Sequence, residues 1–263
     1  MTAVSASLVK ELRERTGAGM MDCKNALVET GGDIDAAVKL LRERGIAQAA
    51  KRSGRDTTEG RVALDIDEAV AAMVAVGCET EPVSNNEEFL VFVQRVLDKV
   101  EHAGPEGWHE LEDERVELSA KLGENIVVQH AVRFEDGEGD VLTGYVHPPA
   151  NKIGVLIHGR GNPDVAYQLA QHIAWTNPLY LTRSDVPEAE IHAEREILAK
   201  QPDVAEKPEQ VRDKIIEGRV DKRLSDWVLD EQEWIHESGK KVGAVLRDAG
   251  FEVIDFRRFA LAE

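Results

Sequence analysis

Several residue patterns in the chain could do chemistry, and each falls short of its template. Gly154-Val155-Leu156-Ile157-His158-Gly159-Arg160-Gly161 has the glycine spacing of a phosphate-cradling loop. Such a loop needs Lys and then Ser or Thr after its second glycine to reach the phosphates and Mg²⁺. Arg160-Gly161 stands there instead, and the Val-Leu-Ile centre reads as a strand. Gly17-Ala18-Gly19 lacks both the third glycine of a dinucleotide fingerprint and a preceding strand, so it reads as a turn between helices. The acidic run Asp136-Gly137-Glu138-Gly139-Asp140 is too short for a calcium loop of about twelve residues and is expected to be a solvated hairpin turn. Cys23 and Cys78 lie far apart with no ligand at metal spacing, as befits free thiols in a reducing cytoplasm. The 8 histidines are scattered, and none adjoins a nucleophile motif such as G-x-S-x-G; a triad assembled from distant positions stays open to sequence reasoning. His147, ending a strand before Pro148-Pro149, reads as a polar rim residue whose ring can donate or accept at an interface. No catalytic residue, metal or cofactor is expected.

The bulk properties narrow the class further. A chain of 263 residues, 42% hydrophobic and 31% charged, is long enough for two or three packed units. Its net charge of -18 argues against direct nucleic-acid binding, which needs clustered basic side chains. The longest apolar run, Ala69 to Cys78, falls well short of the roughly 20 residues that span a bilayer, and the N-terminus lacks a signal-peptide core. A soluble, cytoplasmic protein with no membrane partner is expected.

Charge also divides the chain. The first 53 residues hold nine Lys/Arg and seven Asp/Glu, whereas the remainder is strongly acidic. This N-terminal piece reads as three short helices. Ser5 caps a first carrying Leu8, Val9 and Leu12; a second carries Cys23, Ala26 and Leu27; a third carries Ile34, Ala37, Val38 and Leu41. Thr16-Gly17-Ala18-Gly19 and Thr30-Gly31-Gly32 supply the helix ends. Ala47 to Gly60 reads as a solvated linker, including its basic run Lys51-Arg52-Ser53-Gly54-Arg55.

Beyond it, strands at 61–66 and 70–78, helices at about 87–101 and 110–122 and a strand at 125–134 form one unit. The same order recurs in strands at 141–147 and 153–160, helices at 163–175 and 241–249, and a strand at 252–260. Leu122-Gly123-Glu124-Asn125-Ile126-Val127 aligns with Ala249-Gly250-Phe251-Glu252-Val253-Ile254, which suggests a duplicated ββααβ core. Two amphipathic helices, one with Ile191, Ile197 and Leu198 and the other with Val211, Ile215, Ile216, Val220 and Leu224, read as a helical hairpin inserted in the second unit. An α+β fold follows, with units at 1–54, 55–140 and 141–263 and the insert at about 181–225. Ile191, Ile197, Ile215 and Val220 are the expected seam if the hairpin forms a homodimer.

The segment Leu12-Arg13-Glu14-Arg15-Thr16-Gly17-Ala18-Gly19-Met20-Met21-Asp22-Cys23-Lys24-Asn25-Ala26-Leu27 closely resembles the N-terminal signature of the bacterial elongation factor Ts family. The resemblance continues collinearly through Gly32-Asp33-Ile34, Cys78-Glu79-Thr80, Lys121-Leu122-Gly123-Glu124-Asn125-Ile126, Ile153-Gly154-Val155-Leu156 and Glu217-Gly218-Arg219. It implies a guanine-nucleotide exchange factor for elongation factor Tu, binding its GDP and nucleotide-free forms and having no enzyme activity of its own. It further implies an N-terminal domain resembling ubiquitin-associated (UBA) domains, a two-part core and, in some members, a coiled-coil hairpin used for dimerisation. Arg13, Met20 and Met21 match positions that grip a helix of Tu, although their types alone would place the methionines in a core. Ile126 and His147 match further interface positions.

The family's Thr-Asp-Phe-Val element, whose aromatic wedge disturbs the partner's Mg²⁺ and phosphate contacts, corresponds here to Thr80-Glu81-Pro82-Val83. Pro82 replaces the ring, and an aromatic buries about 150–250 Å², far more than a pyrrolidine. A second altered stretch is Gln232-Glu233-Trp234-Ile235, similar to the family's Gln-Pro-Phe-Val. These departures leave room for a second reading, an adaptor for Tu or another partner with weak exchange activity.

Overall fold

A computed structural model of the chain describes residues 4–67 and 69–262. Three helices come first: α1 (Ala6–Thr16), α2 (Met20–Glu29) and α3 (Ile34–Arg52). The Ser5 hydroxyl accepts from the Leu8 amide at the start of α1, and Gly17, at φ 67°, ends it in the left-handed conformation that a β-carbon disfavours. Leu12, Cys23, Ala26, Leu27 and Ala37 are buried together, so the expected stripes converge. The third helix is longer than the sequence reading allowed. Ala47 to Arg52, assigned to the linker, extend α3 because Ala, Gln, Lys and Arg are strong helix formers with no proline to stop them. Nor is the basic run free in solvent. Arg52 donates to the Ser119 carbonyl at 3.3 Å, and Arg55 pairs with Glu79.

Strands β1 (Glu59–Asp67) and β2 (Val70–Cys78) are followed by α4 (Glu81–Ser84), α5 (Glu87–Ala103), a 3-10 turn at Gly107–Leu111, α6 (Glu112–Leu122) and β3 (Val127–Glu135). The three strands form an antiparallel sheet in the order β1-β2-β3. The pattern then repeats in β4 (Asp140–Val146), β5 (Ile153–Gly161), α7 (Pro163–Thr176), α8 (Glu188–Ala199), α9 (Pro202–Ala205), α10 (Glu209–Trp227), α11 (Val242–Ala249) and β6 (Phe251–Ala260). The second sheet has the order β4-β5-β6 and is also antiparallel. The two aligned glycines hold equivalent posts: Gly123 ends α6 at φ 79° and Gly250 ends α11 at φ 68°, each turning the chain towards its unit's last strand.

Strand periodicity sets the layers. Ala72, Val74, Val76 and Cys78 of β2 pack with Phe89, Phe92, Val93 and Val96 of α5. Ala71, Met73 and Ala75, on the opposite face, pack with Leu156 of β5 and Phe259 of β6. On the far side of β5, Val155 and Ile157 meet Val165, Leu169 and Ile173 of α7. The order is thus helix, sheet, sheet, helix, and β2 is buried on both faces, which is why it reads as an unbroken apolar run. Because β3 and β4 belong to different sheets, Asp136 to Asp140 is a crossover rather than the expected hairpin turn. Asp140 is not a freely solvated side chain: its carboxylate bonds His158 at 2.6 Å and Arg160 at 2.5 Å, and these contacts, the histidine's first, hold it below the ordinary aspartate range.

Helices α8 and α10 enclose a small core of their own from Val186, Leu198, Val204, Ile216, Val220, Leu224 and Val228. This corrects the seam expected from sequence. Val220 is buried within the pair, Ile191 and Ile215 pack against the same cluster, and Ile197 alone of the four is exposed.

Two glycines test this packing in opposite directions. A β-carbon on Gly154 would lie 2.4 Å from Val62 and 3.0 Å from Met73, between the sheets. Gly154→Ala should cost about 1–3 kcal/mol through overpacking. Gly218→Ala, on an exposed face of α10 with nothing within 4 Å, should stabilise by up to about 1 kcal/mol. Urea unfolding of both variants measures the contrast.

Candidate functional site

The segment between β2 and α5 carries Thr80-Glu81-Pro82-Val83. Thr80 is extended, at φ -132° and ψ 152°, and precedes the single turn of α4. Pro82 lies in that first turn, where its missing N–H leaves no helix bond unmade. A four-residue helix has no stability of its own, so its surroundings must hold it. Glu124, just past the α6 cap, holds the two residues that lead into it. One carboxylate oxygen accepts from the Glu79 and Thr80 amides at 3.0 and 3.1 Å, and the other accepts from the Thr80 hydroxyl at 2.5 Å. The arrangement is reciprocal. Glu79 accepts from the Asn125 amide at 2.7 Å and from Arg55, while the Asn125 side chain donates to the Arg55 carbonyl. Beyond the turn, Arg61 of β1 donates to the Ser84 carbonyl, Asn85 and the Ala150 carbonyl, linking this segment to the β4–β5 loop. Thr80, Glu81 and Pro82 are exposed, while Val83 is half-buried against the α5 core. The protruding tip is therefore polar and pyrrolidine rather than aromatic.

Met20 and Met21 begin α2 and are each 61% exposed, and Arg13 on α1 is exposed too. The inward face of α2 is already filled by Cys23, Ala26 and Leu27, which leaves both thioethers outside and overturns the core placement that residue type suggests. Val28, 59% exposed and seven residues after Met21, extends the apolar surface on the same helix face. Its i+7 spacing from Met21 was the available sequence signal.

His147 and Ile126 part company. The imidazole of His147 is exposed, and its Nδ1 lies 2.8 Å from the Tyr145 hydroxyl. Tyr145 meets Tyr167 of α7 edge-on, with ring centroids 5.9 Å apart. Sequence reasoning missed both tyrosines, although the i, i+2 spacing of Tyr145 and His147 places them on one strand face. Ile126, expected at the partner surface, is fully buried in the α5–β2 core, and its carbonyl accepts from Arg115 at 2.6 Å. Its side chain supports the strand behind Glu124 and presents nothing to the exterior.

Comparison with known proteins decides the family. Residues 79–263 match the model of a family described as Elongation factor TS. The chain is 40% identical to Elongation factor Ts of Thioalkalivibrio sulfidiphilus, the alignment covering 99% of this chain and 92% of the relative. Elongation factor Ts of Saccharophagus degradans and of Hahella chejuensis are each 41% identical, over 99% and 100% of this chain. The chain belongs to the elongation factor Ts family. Its family match begins at Glu79, the first residue of the loop that Glu124 holds.

In this Ts-family chain no three His, Cys, Asp or Glu side chains group to hold a metal ion among the described residues. Cys78, at the base of the loop, is a free, buried thiol that donates to the Thr80 carbonyl. Burial, reinforced by the charge of Glu124, pushes its pKa up to about 12. The nucleophile is the thiolate, whose population at pH 8 is then on the order of 10⁻⁴. Cys78 should resist iodoacetamide at pH 8 in the folded chain and react once the chain is unfolded in urea, as read by mass spectrometry of its peptide.

Proposed function

We propose that the chain is a guanine-nucleotide exchange factor for elongation factor Tu in cytoplasmic translation elongation, acting by binding alone and not as an enzyme. The observation that carries this reading is the exposure of Met20 and Met21 on a helix whose inward face is already complete. Residues 1–54 act as a UBA-like docking domain, in which Arg13 and the two adaptable thioethers grip a helix of the partner. Residues 55–140 and 141–263 act as two core subdomains, presenting Thr80-Glu81-Pro82-Val83 and His147. The first disturbs the partner's Mg²⁺ and phosphate contacts. A homodimer through the α8–α10 hairpin would draw on Ile197 and Val211, the exposed aliphatic side chains of that pair.

Linkage supplies the mechanism. A protein that binds nucleotide-free Tu more tightly than Tu·GDP must weaken GDP binding by the same factor. A second reading, a Tu-binding adaptor with weak exchange, is favoured by one feature: the exposed tip carries Pro82 in place of a phenyl ring.

Release of labelled GDP from cognate Tu, with and without the chain, separates the two. Acceleration supports exchange; binding without acceleration supports the adaptor. Met20→Ala combined with Met21→Ala should weaken Tu binding about tenfold to a hundredfold, or about 1–3 kcal/mol, with circular dichroism unchanged. Unchanged affinity would remove the pair from the interface. Pro82→Phe should lower the GDP affinity of the complex about tenfold further if the ring adds about 1.4 kcal/mol of preference for the nucleotide-free state. Equal GDP affinities and release rates for the two proteins would show that the tip is not the lever.

A further inference from the structure

We infer that Glu124 is the positioning residue of the exchange loop, holding Thr80-Glu81-Pro82 in the conformation that acts on the partner; the inference rests on the exchange reading above. The two ββααβ units make the case. In the second, β5 ends at Gly161 and α7 begins at Pro163, so a single residue joins strand to helix. In the first, β2 ends at Cys78 and α5 begins at Glu87, and the inserted segment is the exposed loop. A second difference coincides with it. After the left-handed glycine that ends the last helix of each unit, the second unit places Phe251, buried in its core, while the first places Glu124. Where one unit uses the position to pack, the other aims a carboxylate at the added segment.

The geometry of that carboxylate is specific. Its two oxygens take three donors from two consecutive residues: the Glu79 amide, the Thr80 amide and the Thr80 hydroxyl. Glu124 is itself held from behind, since the buried Ser119 hydroxyl donates to its carbonyl at 2.5 Å and the Asn125 amide is bonded to Glu79. The rigid α6–β3 corner thereby fixes the direction in which α4 leaves β2. Glu124 need not touch the partner to do this, and the docking residues Arg13, Met20 and Met21 lie on other elements.

The test measures GDP release from Tu against concentration of the full chain, unmodified and as Glu124→Ala and Glu124→Gln. The alanine variant should lower the saturating release rate about tenfold, with the half-saturating concentration changed less than about twofold, because docking is retained. The glutamine variant should recover the rate to within about threefold: its carbonyl oxygen can accept both amides, and its NH₂ can donate to the Thr80 oxygen. An alanine variant as fast as the unmodified chain, one altered only in half-saturation, or a glutamine variant as slow as alanine would each overturn the inference. Amide hydrogen exchange at Glu79 and Thr80 in the isolated chain gives a readout independent of exchange activity. Protection should be present in the unmodified chain, persist in Glu124→Gln and vanish in Glu124→Ala. If the unmodified chain fails to release GDP, the exchange reading falls, and this protection pattern alone decides whether Glu124 holds the loop. Should the alanine variant not fold, unprotected amides at both positions in the unmodified chain would still refute it.

Discussion

The packing of one strand between two cores is the constraint on which the rest of the structure depends. β2 contributes alternate side chains to the α5 core and to the interface between the sheets, so no residue from Ala71 to Cys78 is left to face solvent. Neighbouring elements must conform to it. β5 supplies glycine at position 154, where a β-carbon would lie 2.4 Å from Val62 and 3.0 Å from Met73. Volume changes at such a two-sided contact cannot relax into solvent, which makes the sheet pair a rigid frame. The presented loops, 79–86 after β2 and 147–152 before β5, spring from that frame, and Arg61 ties one to the other.

On this frame the candidate partner surface is built from elements too small to hold themselves. α4 is a single turn, and the residues that lead into it, Glu79 and Thr80, are bonded by the carboxylate of Glu124 from the α6–β3 corner. The same clamp reaches the N-terminal helices: Arg55, just past α3, pairs with Glu79, and its carbonyl accepts from Asn125. Side-chain bonds of this kind position a backbone segment from outside it, which suits the exchange role proposed for this member of the elongation factor Ts family. The arrangement also gives a structural use to part of the large acidic excess: Glu79 and Glu124 both accept from backbone amides at the loop's base, and Glu79 also pairs with Arg55.

The two ββααβ units share one plan and differ in what is added to it. Their strand orders agree, and both last helices end on a left-handed glycine. They diverge where the first carries the exposed segment 79–86 and where helices α8, α9 and α10 stand between α7 and α11 in the second. Helices α8 and α10 enclose an apolar cluster of their own, in which Val220 and Leu224 are buried.

Periodicity was enough to place most of the elements, though not the full length of α3 or the single turn of α4. Amphipathic stripes marked the N-terminal helices and α5 through Leu12, Cys23, Ala37 and Phe89, and apolar runs marked the strands, because burial of one face imposes a period on local sequence. The α+β class, the recurrence of ββααβ and the family resemblance were all legible there. Three matters were settled only by tertiary structure. Whether Met20, Met21 and Ile126 face in or out depends on which side of each element another element covers, and residue type misplaced the methionines while the family match misplaced Ile126. Asp136 to Asp140 proved to cross between sheets, since strand pairing is a non-local choice that a turn-like composition does not encode. The Glu124–Thr80 bonds join residues 44 positions apart, and no local pattern distinguishes such a carboxylate from the many solvated ones in an acidic chain.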